Sequence, residues 1–545
     1  MSAATERQPL LRDNSGSSSV AVSASPSPTL VAAALGECGG FNDDEGITSV
    51  DPRIGFNPSG DPDNPRDWPE AFKWGIVMLL AAMAFTVTFT CISIVPLAAH
   101  IVEELDGLSG DSRNAPSSSG STASVLLVTI WELGEAAGPL AIAPLSETAS
   151  WGRYAVLNAA TLLFVGATAA AAMAKSTSLF IAARGLTGLA VATNVLGPAI
   201  IGDLFPPAQR GSAMAIVQMA PLLGGAVGPA IGGAVAGTWG WRSVLWLSAV
   251  LASTCAVLFL VAFRETYPPA VLRRRRLRLE LTDGKLTTAS LESGALLTTT
   301  LLDPTMSTPA SSVSGLRHMR DAVLRPAVVM TNSIVLALLS LFGAVVFSYF
   351  YTMSVSLPHI LETRYGLSSA GTGSAFLAFS LGAAISVMIC NQTLDRVYVY
   401  LTKKSGKPHG RPEFRLPMTI ACGLVLPGAV ASYGWCAELH GPLPVMLGTV
   451  VLLGTSLPLS FIPLASYVVD AFGLYAASAM TGLIVSRCLC GTFLPLTVVP
   501  LVDALGYGWG FTALASVSLL LVPLPLLVMR HGEKWRQRSE YTRNA

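Results

Sequence analysis

The chain of 545 residues is strongly apolar, with 52% hydrophobic and only 12% charged residues. Soluble domains average about 25% charged residues, so this composition and the mean hydropathy of +0.57 exclude an ordinary soluble protein. The formal net charge of +1 lacks the basic balance that nucleic-acid-binding proteins show. We therefore expect a membrane protein that binds no nucleic acid.

The polar segment at the start of the chain, residues 1–73, is rich in Ser, Pro, Gly, Asp and Asn over its first 60 residues. It lacks the short apolar run and the small-residue cleavage site of a signal peptide. We predict a disordered cytoplasmic tail. The motif ERQPLL, Glu6 to Leu11, has the spacing of an acidic dileucine sorting signal. It keeps the vacuolar membrane open as an alternative to the cell membrane.

Apolar windows of about 20 residues, the length that crosses a bilayer as a helix, follow one another from residue 74 onward. The sequence contains twelve such windows, near residues 74–98, 123–145, 154–174, 178–200, 211–237, 243–263, 327–357, 372–391, 416–435, 443–467, 474–500 and 509–529. The pattern predicts an all-α polytopic membrane protein with twelve transmembrane helices in two six-helix bundles, residues 74–263 and 327–529. Residues 264–326 form the predicted central loop, and residues 530–545 the C-tail.

Lys and Arg residues are distributed unequally between the two predicted sides of the membrane. They concentrate in the central loop, in the loop of residues 392–415 and in the C-tail. The loops on the other side keep only four basic residues: Arg113, Lys175, Arg242 and Arg364. Because cytoplasmic loops carry the excess of basic residues, both termini are predicted to be cytoplasmic.

The cysteines and histidines show no pattern of a metal or catalytic site. The eight cysteines are scattered, mostly in apolar stretches, and the six histidines do not cluster. We interpret the cysteines as apolar packing residues. No His-rich, Ser-His-Asp or phosphate-cradling Gly-Lys motif occurs either. We expect a protein that is not an enzyme and binds neither a metal nor a cofactor.

Several motifs resemble those of the major facilitator superfamily, and more narrowly its fungal branch of twelve-helix drug:proton antiporters. They include GDPDNPRDWPEAFKW before the first helix, APLSETASWGRY after the second, RGLTG in the fourth and YVVDAFGLYAASAM before the eleventh. In this order and on these sides of the membrane, they cover nearly the whole chain from residue 60. The resemblance implies the major facilitator fold.

The stretch GGAVGPAIGG in the fifth helix is similar to the antiporter motif of that superfamily. The matching residues are Gly224, Gly228, Pro229, Gly232 and Gly233. Gly224, Gly228 and Gly232 share one helix face, and Gly225, Gly233 and Gly237 share another, so neighbouring backbones can approach closely. Pro229 frees one carbonyl group and bends the helix. We predict a smooth, bent helix that can move against its neighbours.

Two short acidic and basic turns are predicted on the cytoplasmic side, one in each half. The first contains Glu147, Gly152 and Arg153, and the second contains Asp395 and Arg396. The resemblance implies that such a turn locks the conformation of the transporter. In this chain four residues separate Glu147 from Gly152, where the family usually has two.

Two acidic residues lie about the middle of the second predicted helix. Glu132 and Glu135 are three positions apart and share a helix face. Charges at this depth are costly and usually functional, so the pair is a candidate proton carrier. The alternative is a structural pair neutralised by a buried arginine. Asp203 and Asp470 are the fallback candidates for proton coupling.

The resemblance also points to Arg184 in the fourth helix as a positive partner in proton coupling. Arg487 in the eleventh helix is either its counterpart or a packing anchor. The seventh helix carries an aromatic cluster that either lines a substrate cavity or belongs to the aromatic belt at the membrane interface. Its members are Phe347, Tyr349, Phe350 and Tyr351.

These features predict a secondary transporter that exports a small organic molecule by proton antiport with alternating access. The resemblance leaves drugs, polyamines, toxins, glycolipids and other secreted metabolites open as substrates. The alternatives are an importer or uniporter, or a receptor that transports nothing. The expected partners are the substrate, protons and membrane lipid, and we expect a monomer driven by the proton gradient.

Overall fold

The computed structural model describes residues 56–57, 60–108, 122–146, 150–206, 210–282, 324, 326–406, 410–472, 476–539 and 542. Helices account for nearly all of these residues, and no strand occurs among them. The helices of the first half and the segment after it are α1 Glu70–Ile92, α2 Ala98–Leu108, α3 Thr122–Ser146, α4 Gly152–Ala172, α5 Thr177–Leu189, α6 Thr193–Leu204, α7 Arg210–Trp239, α8 Trp241–Ala262 and α9 Pro268–Thr282.

The second half repeats this pattern of long apolar helices. Its helices are α10 Ile334–Tyr365, α11 Ser369–Ser405, α12 Leu416–Glu438, α13 Leu443–Phe472, α14 Ala476–Phe493, α15 Val498–Leu521 and α16 Pro523–Arg536. A short 3-10 turn, Leu494–Thr497, joins α14 to α15, and a second one, Val95–Leu97, joins α1 to α2. In each case, the two helices that the turn joins belong to one apolar segment.

The described residues contain eleven segments long and apolar enough to cross a membrane. The last of them, Ser478–Arg536, has 59 residues, whereas one crossing needs about 20. The chain turns back inside this segment at Gly506, whose φ is 76°. A Cβ on Gly510 would lie 3.5 Å from the carbonyl oxygen of Leu501, although nine residues of straight helix span about 13 Å. The segment therefore crosses twice, and the described residues make twelve crossings, as predicted.

Both halves end in the same kind of helical hairpin. The single residue Gly240, with a φ of 79°, separates α7 from α8, the fifth and sixth crossings. Gly506 has the equivalent position between the eleventh and twelfth crossings and a similar φ. Because glycine adopts positive φ without a steric penalty, each hairpin reverses within about one residue. The shared geometry agrees with an architecture of repeated six-helix units.

Glycines let several helix pairs approach until their backbones touch. In the first half, a Cβ on Gly134 of α3 would lie 2.2 Å from the Gly185 carbonyl oxygen of α5. In the second half, a Cβ on Gly382 of α11 would lie 2.2 Å from the Val451 carbonyl oxygen of α13. Small residues permit such packing where lipid supplies no hydrophobic drive between helices. The second and fourth crossings thus pair in the same way as the eighth and tenth.

Three predicted boundaries differ from the structure. Residues 60–69 were expected in a disordered tail, but they form a compact turn with a 3-10 helix at Pro65–Asp67. The expected central loop contains α9. The expected acidic and basic turn at Asp395 and Arg396 lies inside α11, which continues to Ser405. Residues 1–55 and most of the central loop, 283–323, lie outside the described residues, as does the ERQPLL motif.

Candidate functional site

The predicted acidic pair on α3 is buried in the middle of the protein. Glu132 is 1% exposed and Glu135 is 7% exposed. Gly134, between them, places α3 directly against α5, so both carboxyl groups lie deep among packed helices. A buried carboxylate is costly unless it is paired and hydrogen-bonded. Its partners therefore decide what the pair can do.

Glu132 binds a residue of the opposite half. The Tyr351 hydroxyl on α10 donates a hydrogen bond of 2.6 Å to Oε1 of Glu132. The Cys488 thiol of α14, also in the second half, is a further hydrogen-bond partner of Glu132. Glu132 is thus held by two side chains of the opposite half, Tyr351 and Cys488.

Glu135 also binds across the two halves. Arg487 on α14 donates to Oε1 of Glu135 at 3.2 Å. The Asn194 amide on α6 donates to the same oxygen at 2.8 Å, and the Trp131 indole donates to Oε2 at 3.3 Å. The arginine that neutralises the acidic pair is therefore Arg487, from the second half of the chain.

Arg184 is buried beside this site, where it donates hydrogen bonds to backbone carbonyl groups of α1. It is 1% exposed. Its Nη1 and Nη2 atoms donate to the carbonyl oxygens of Thr90 and Cys91 at 3.1 and 2.9 Å. Its guanidinium also lies 4.8 Å from the centre of the Trp131 ring. Arg184 thus satisfies carbonyl groups at the end of α1, and its link to Glu135 runs through Trp131.

The aromatic cluster of α10 faces the protein interior. Tyr349 and Tyr351 are 2% and 5% exposed, so the aromatic-belt interpretation is wrong for these two residues. The Tyr349 hydroxyl donates to the Leu514 carbonyl oxygen at 2.7 Å within the second half. Phe347 packs on Tyr351 and also lies under the Arg487 guanidinium, 4.4 Å from its ring centre.

Phe350 extends this aromatic surface. Its ring centre lies 5.0 Å from that of Tyr351 and 5.0 Å from that of Phe379 on α11. Phe347 similarly approaches Phe461 on α13, with 6.2 Å between the ring centres. An aromatic wall with one arginine and two carboxyl groups beside it can bind an organic molecule through ring contacts and a few polar groups.

The glycine motif of α7 packs against two helices. On one face, Cβ atoms on Gly224 and Gly232 would lie 2.6 and 2.2 Å from carbonyl oxygens of Phe85 and Ser93. Gly228 is less crowded, because its Cβ would lie 3.5 Å from the Phe89 carbonyl oxygen.

The other face of α7 contacts the second half. A Cβ on Gly233 would lie 2.3 Å from the Ser369 carbonyl oxygen, and one on Gly373 would lie 2.0 Å from the Pro229 carbonyl oxygen. Gly225 and Gly237 make no such backbone contact. The helix α7, which carries the antiporter-like motif, therefore contacts the second half through Pro229 and Gly233.

An ion-pair network lies at the end of the bundle where α4 begins, which we call the Arg153 end. Arg153 binds Asp203 at the end of α6, with 2.7 Å between Nε and Oδ2. Glu265, just after α8, accepts hydrogen bonds from the backbone N–H groups of Arg153 and Tyr154 at 2.9 and 3.3 Å. A Cβ on Gly152 would lie 2.2 Å from Oε2 of Glu265, so glycine is needed there. Glu147 lies outside the described residues.

The second half has a corresponding network at the same end. Arg415, before α12, binds Asp470 at the end of α13 and also approaches Asp395, with 3.4 Å between Nη1 and Oδ1. Arg396 is exposed. Asp203 and Asp470, the fallback candidates for proton coupling, therefore both serve as partners of an arginine. Sequence analysis missed Arg415 and Glu265, which lie in the stretches RPEFRLP and RETYPPAVL.

The contacts between the halves are concentrated away from the Arg153 end. Among the described residues, the hydrogen bonds that join the halves involve Glu132, Glu135, Cys91 and the Thr492 hydroxyl, which donates to the Thr129 carbonyl oxygen at 3.3 Å. A cavity of only about 100 Å³ remains between the halves beyond Val128, toward the Gly240 end. Drug-sized ligands occupy about 300–1,000 Å³, so this cavity is too small to hold one.

A two-bundle membrane protein with buried acids at the interface of its halves has the architecture of a secondary transporter. The sequence profile of the Major Facilitator Superfamily matches residues 75–495. The chain belongs to this superfamily, whose members are transporters and not enzymes. Within the part that the structure describes, no group of three or more His, Cys, Asp or Glu side chains could hold a metal ion.

Curated relatives are fungal transporters. Efflux pump radE of Floropilus chiversii is 31% identical over 90% of this chain and 86% of its own length. MFS transporter cpaT of Aspergillus oryzae is 30% identical over 90% of this chain and 92% of its own length. The predicted membership of the superfamily is confirmed, and so is the similarity to fungal efflux proteins.

Solved structures show the same fold at low sequence identity. A D-xylose-proton symporter has a TM-score of 0.59 at 16% identity and covers 82% of this chain and 97% of its own. The human organic anion transporter MFSD10 (TETRAN) has a TM-score of 0.53 at 19% identity and covers 84% of this chain and 100% of its own. These likenesses establish the major facilitator fold alone.

Proposed function

We propose that this transporter exports a small organic molecule in exchange for protons, with alternating access between its two halves. The observation that carries the proposal is that both candidate proton-binding groups, Glu132 and Glu135, bond directly to the opposite half, through Tyr351 and Arg487. A change in the charge of either acid therefore changes the free energy of the contact between the halves. Proton binding and opening are coupled through the same atoms.

The ion pair determines which charge state of Glu135 favours the closed state. A charged Glu135 holds Arg487 and helps to close the Gly240 end, whereas a protonated Glu135 no longer forms an ion pair. Removing one partner of a buried pair costs about 3–5 kcal/mol. Opening the closed state with a charged Glu135 therefore requires another group to replace the pair, which a bound substrate can supply. This logic favours exchange of proton and substrate over transport of either alone.

The substrate class follows from the surface beside the acids. Phe347, Phe350 and Tyr351 offer ring faces, and Arg487 and Glu132 offer a donor and an acceptor. This composition suits an aromatic or largely apolar compound with a few polar groups. The fungal relatives named as efflux pump or transporter support export. A secreted metabolite, toxin, glycolipid, polyamine or drug remains within the proposed class.

The proposed location is the cell membrane, with the vacuolar membrane as the alternative. The Arg153 end is placed on the cytoplasmic side, because the basic loops lie at that end. Both termini are then cytoplasmic.

Metabolite analysis of a deletion strain tests the direction and the substrate. We expect at least one small organic molecule to fall in the medium and rise inside the deletion strain relative to its parent. In everted vesicles, that molecule accumulates when an inside-acid proton gradient is imposed, and a protonophore abolishes its accumulation. Uptake that is independent of any proton gradient would support a uniporter instead.

A further inference from the structure

The small cavity at the Gly240 end lies between the two halves. It has a volume of about 100 Å³. Its lining comes from α2 and α3 in the first half and from α10 and α15 in the second. Because both halves contribute walls, the cavity must change shape when the halves move relative to each other.

Helical spacing places this cavity next to the contact between Glu132 and Tyr351. On α3, Val128 lines the cavity and lies four residues before Glu132, on the same helix face. On α10, Val355 and His359 line the cavity and follow Tyr351 by four and eight residues. Four residues of helix rise about 6 Å. On both helices the cavity therefore begins one turn from the buried acid, on its Gly240 side.

The end of the cavity nearest to Glu132 is apolar. Val128 on α3 is 2% exposed, and Val498 on α15, which also lines the cavity, is 3% exposed. Val355 adds a third valine from α10. Apolar constrictions exclude water and can act as gates. One helical turn of valine side chains thus separates the cavity from the acid.

The remaining lining of the cavity contains titratable groups. His359 is half-buried, whereas Glu362, three residues further along α10, and Asp503 on α15 are exposed. Histidine is the side chain whose charge ordinarily changes between pH 5 and 8, and its two ring nitrogens can take up and release a proton. His359 is therefore placed between exposed acids and the valines that cover Glu132.

The charged and titratable groups around His359 come from three elements. They are Glu362 and Arg364 of α10, Asp503 and Tyr507 of α15, and His100 and Glu103 of α2. The residues of α3 that line the cavity, Ser124 and Val128, are uncharged. Among these described residues the three acids outnumber the one arginine, and a cleft with an excess of negative charge raises the local concentration of cations.

We propose that this cavity is the outer entrance for protons and that His359 relays them from the outside to Glu132. One ring nitrogen of His359 takes a proton from outside water. The proton then passes through water that enters between Val128 and Val355 when the halves separate, and it neutralises the Glu132 carboxylate while His359 returns to its neutral form. The inference rests on the proposed function, which makes Glu132 a proton carrier and the Gly240 end the outer side.

The first test measures proton-driven accumulation of the exported molecule in everted vesicles, whose lumen corresponds to the outside. His359→Asn should lower the initial rate by about tenfold when the lumen is near neutral and the medium more alkaline. The loss should shrink as the lumen is acidified, because abundant protons replace the relay. Substrate exchange without a proton gradient should be unchanged. The control His440→Asn changes an exposed histidine at the same end, where asparagine tolerates the φ of 52°.

The outcomes separate this relay from the proposed function. A loss that is the same at every lumen pH, or an equal loss of gradient-free exchange, would indicate a structural role and overturn the relay. Full activity of His359→Asn together with an inactive Glu132→Gln would overturn the relay and leave proton-coupled export intact. Absence of proton-driven accumulation in the unmodified protein would overturn both.

A second test does not depend on transport. In right-side-out vesicles, a membrane-impermeant thiol reagent should label His359→Cys well above the background of the unmodified protein. Ser348→Cys lies about three turns further inside on α10, at a fully buried position, and should remain unlabelled. The entrance is overturned if His359→Cys is not labelled, or if Ser348→Cys is labelled to the same extent.

Discussion

Glu135 and Arg487 form an ion pair of 3.2 Å although 352 residues separate them in the chain. The pair joins α3 of the first half to α14 of the second, one helical turn from the contact between Glu132 and Tyr351. Asn194 and Trp131 complete the hydrogen bonding of Glu135 from the first half. The acid is therefore fixed in its own half, and the arginine is the group that must leave when the halves separate.

We predict that Glu132→Gln or Glu135→Gln abolishes proton-driven accumulation of substrate in everted vesicles. Glutamine resembles the protonated acid and cannot release a proton, so substrate exchange without a proton gradient should partly survive. The control Glu104→Gln removes an acid that pairs with Arg242 at the Gly240 end and should retain proton-driven accumulation. Full proton-driven transport by both α3 variants would show that the proton is carried elsewhere, and loss of folded protein from the membrane would indicate a structural pair.

The glycine motif of α7 allows a graded test. Gly232→Ala should strongly reduce transport, because its Cβ would lie 2.2 Å from the backbone oxygen of Ser93. Gly228→Ala should retain most transport, since its nearest contact is an ordinary 3.5 Å. Gly237→Ala is the control, with open space around the new methyl group.

Overpacking of this kind costs about 1–3 kcal/mol. The measurement is substrate export normalised to the amount of transporter in the membrane. Equal activity of Gly232→Ala and Gly237→Ala would mean that α1 and α7 separate easily at this point and that the close contact has no role in transport.

A cross-link between the halves should trap the state that the structure describes. Thr492 on α14 donates to the backbone of Thr129 on α3, so we expect the thiols of Thr129→Cys/Thr492→Cys to come close enough to cross-link. Oxidation should stop transport, and a reductant should restore it. Each single variant, oxidised in the same way, controls for the native cysteines. Continued transport by a fully cross-linked protein would contradict alternating access at this interface.

The orientation in the membrane can be tested with epitope tags. Tags at residue 290 and at the C-terminus should be accessible to antibody only after permeabilisation, because the basic loops are placed in the cytoplasm. A tag at residue 112, between the first two crossings, should be accessible on intact cells. Labelling of residue 290 on intact cells would reverse the assigned orientation.

The sequence was most informative about features that depend on a single helix. Apolar length predicted the twelve crossings, and helical spacing placed Glu132 and Glu135 on one face. Their partners could not be predicted in this way, because Tyr351 and Arg487 reach them from the other half and no local pattern encodes that distance. Arg184 illustrates the same limit, since its hydrogen bonds go to the carbonyl groups of Thr90 and Cys91 on another helix.

The left-handed glycines at Gly240 and Gly506 have a consequence for how the protein is made. Each glycine is the only residue between two successive crossings. The two helices of each pair are therefore joined too closely to enter the bilayer one at a time. We therefore expect the fifth and sixth helices, and likewise the eleventh and twelfth, to enter the bilayer as hairpins. For the final pair, the Glu438 carboxylate at the end of α12 already supplies the acceptor for the Tyr507 backbone N–H, at 2.8 Å. The end of the ninth crossing thus binds the turn of the last hairpin.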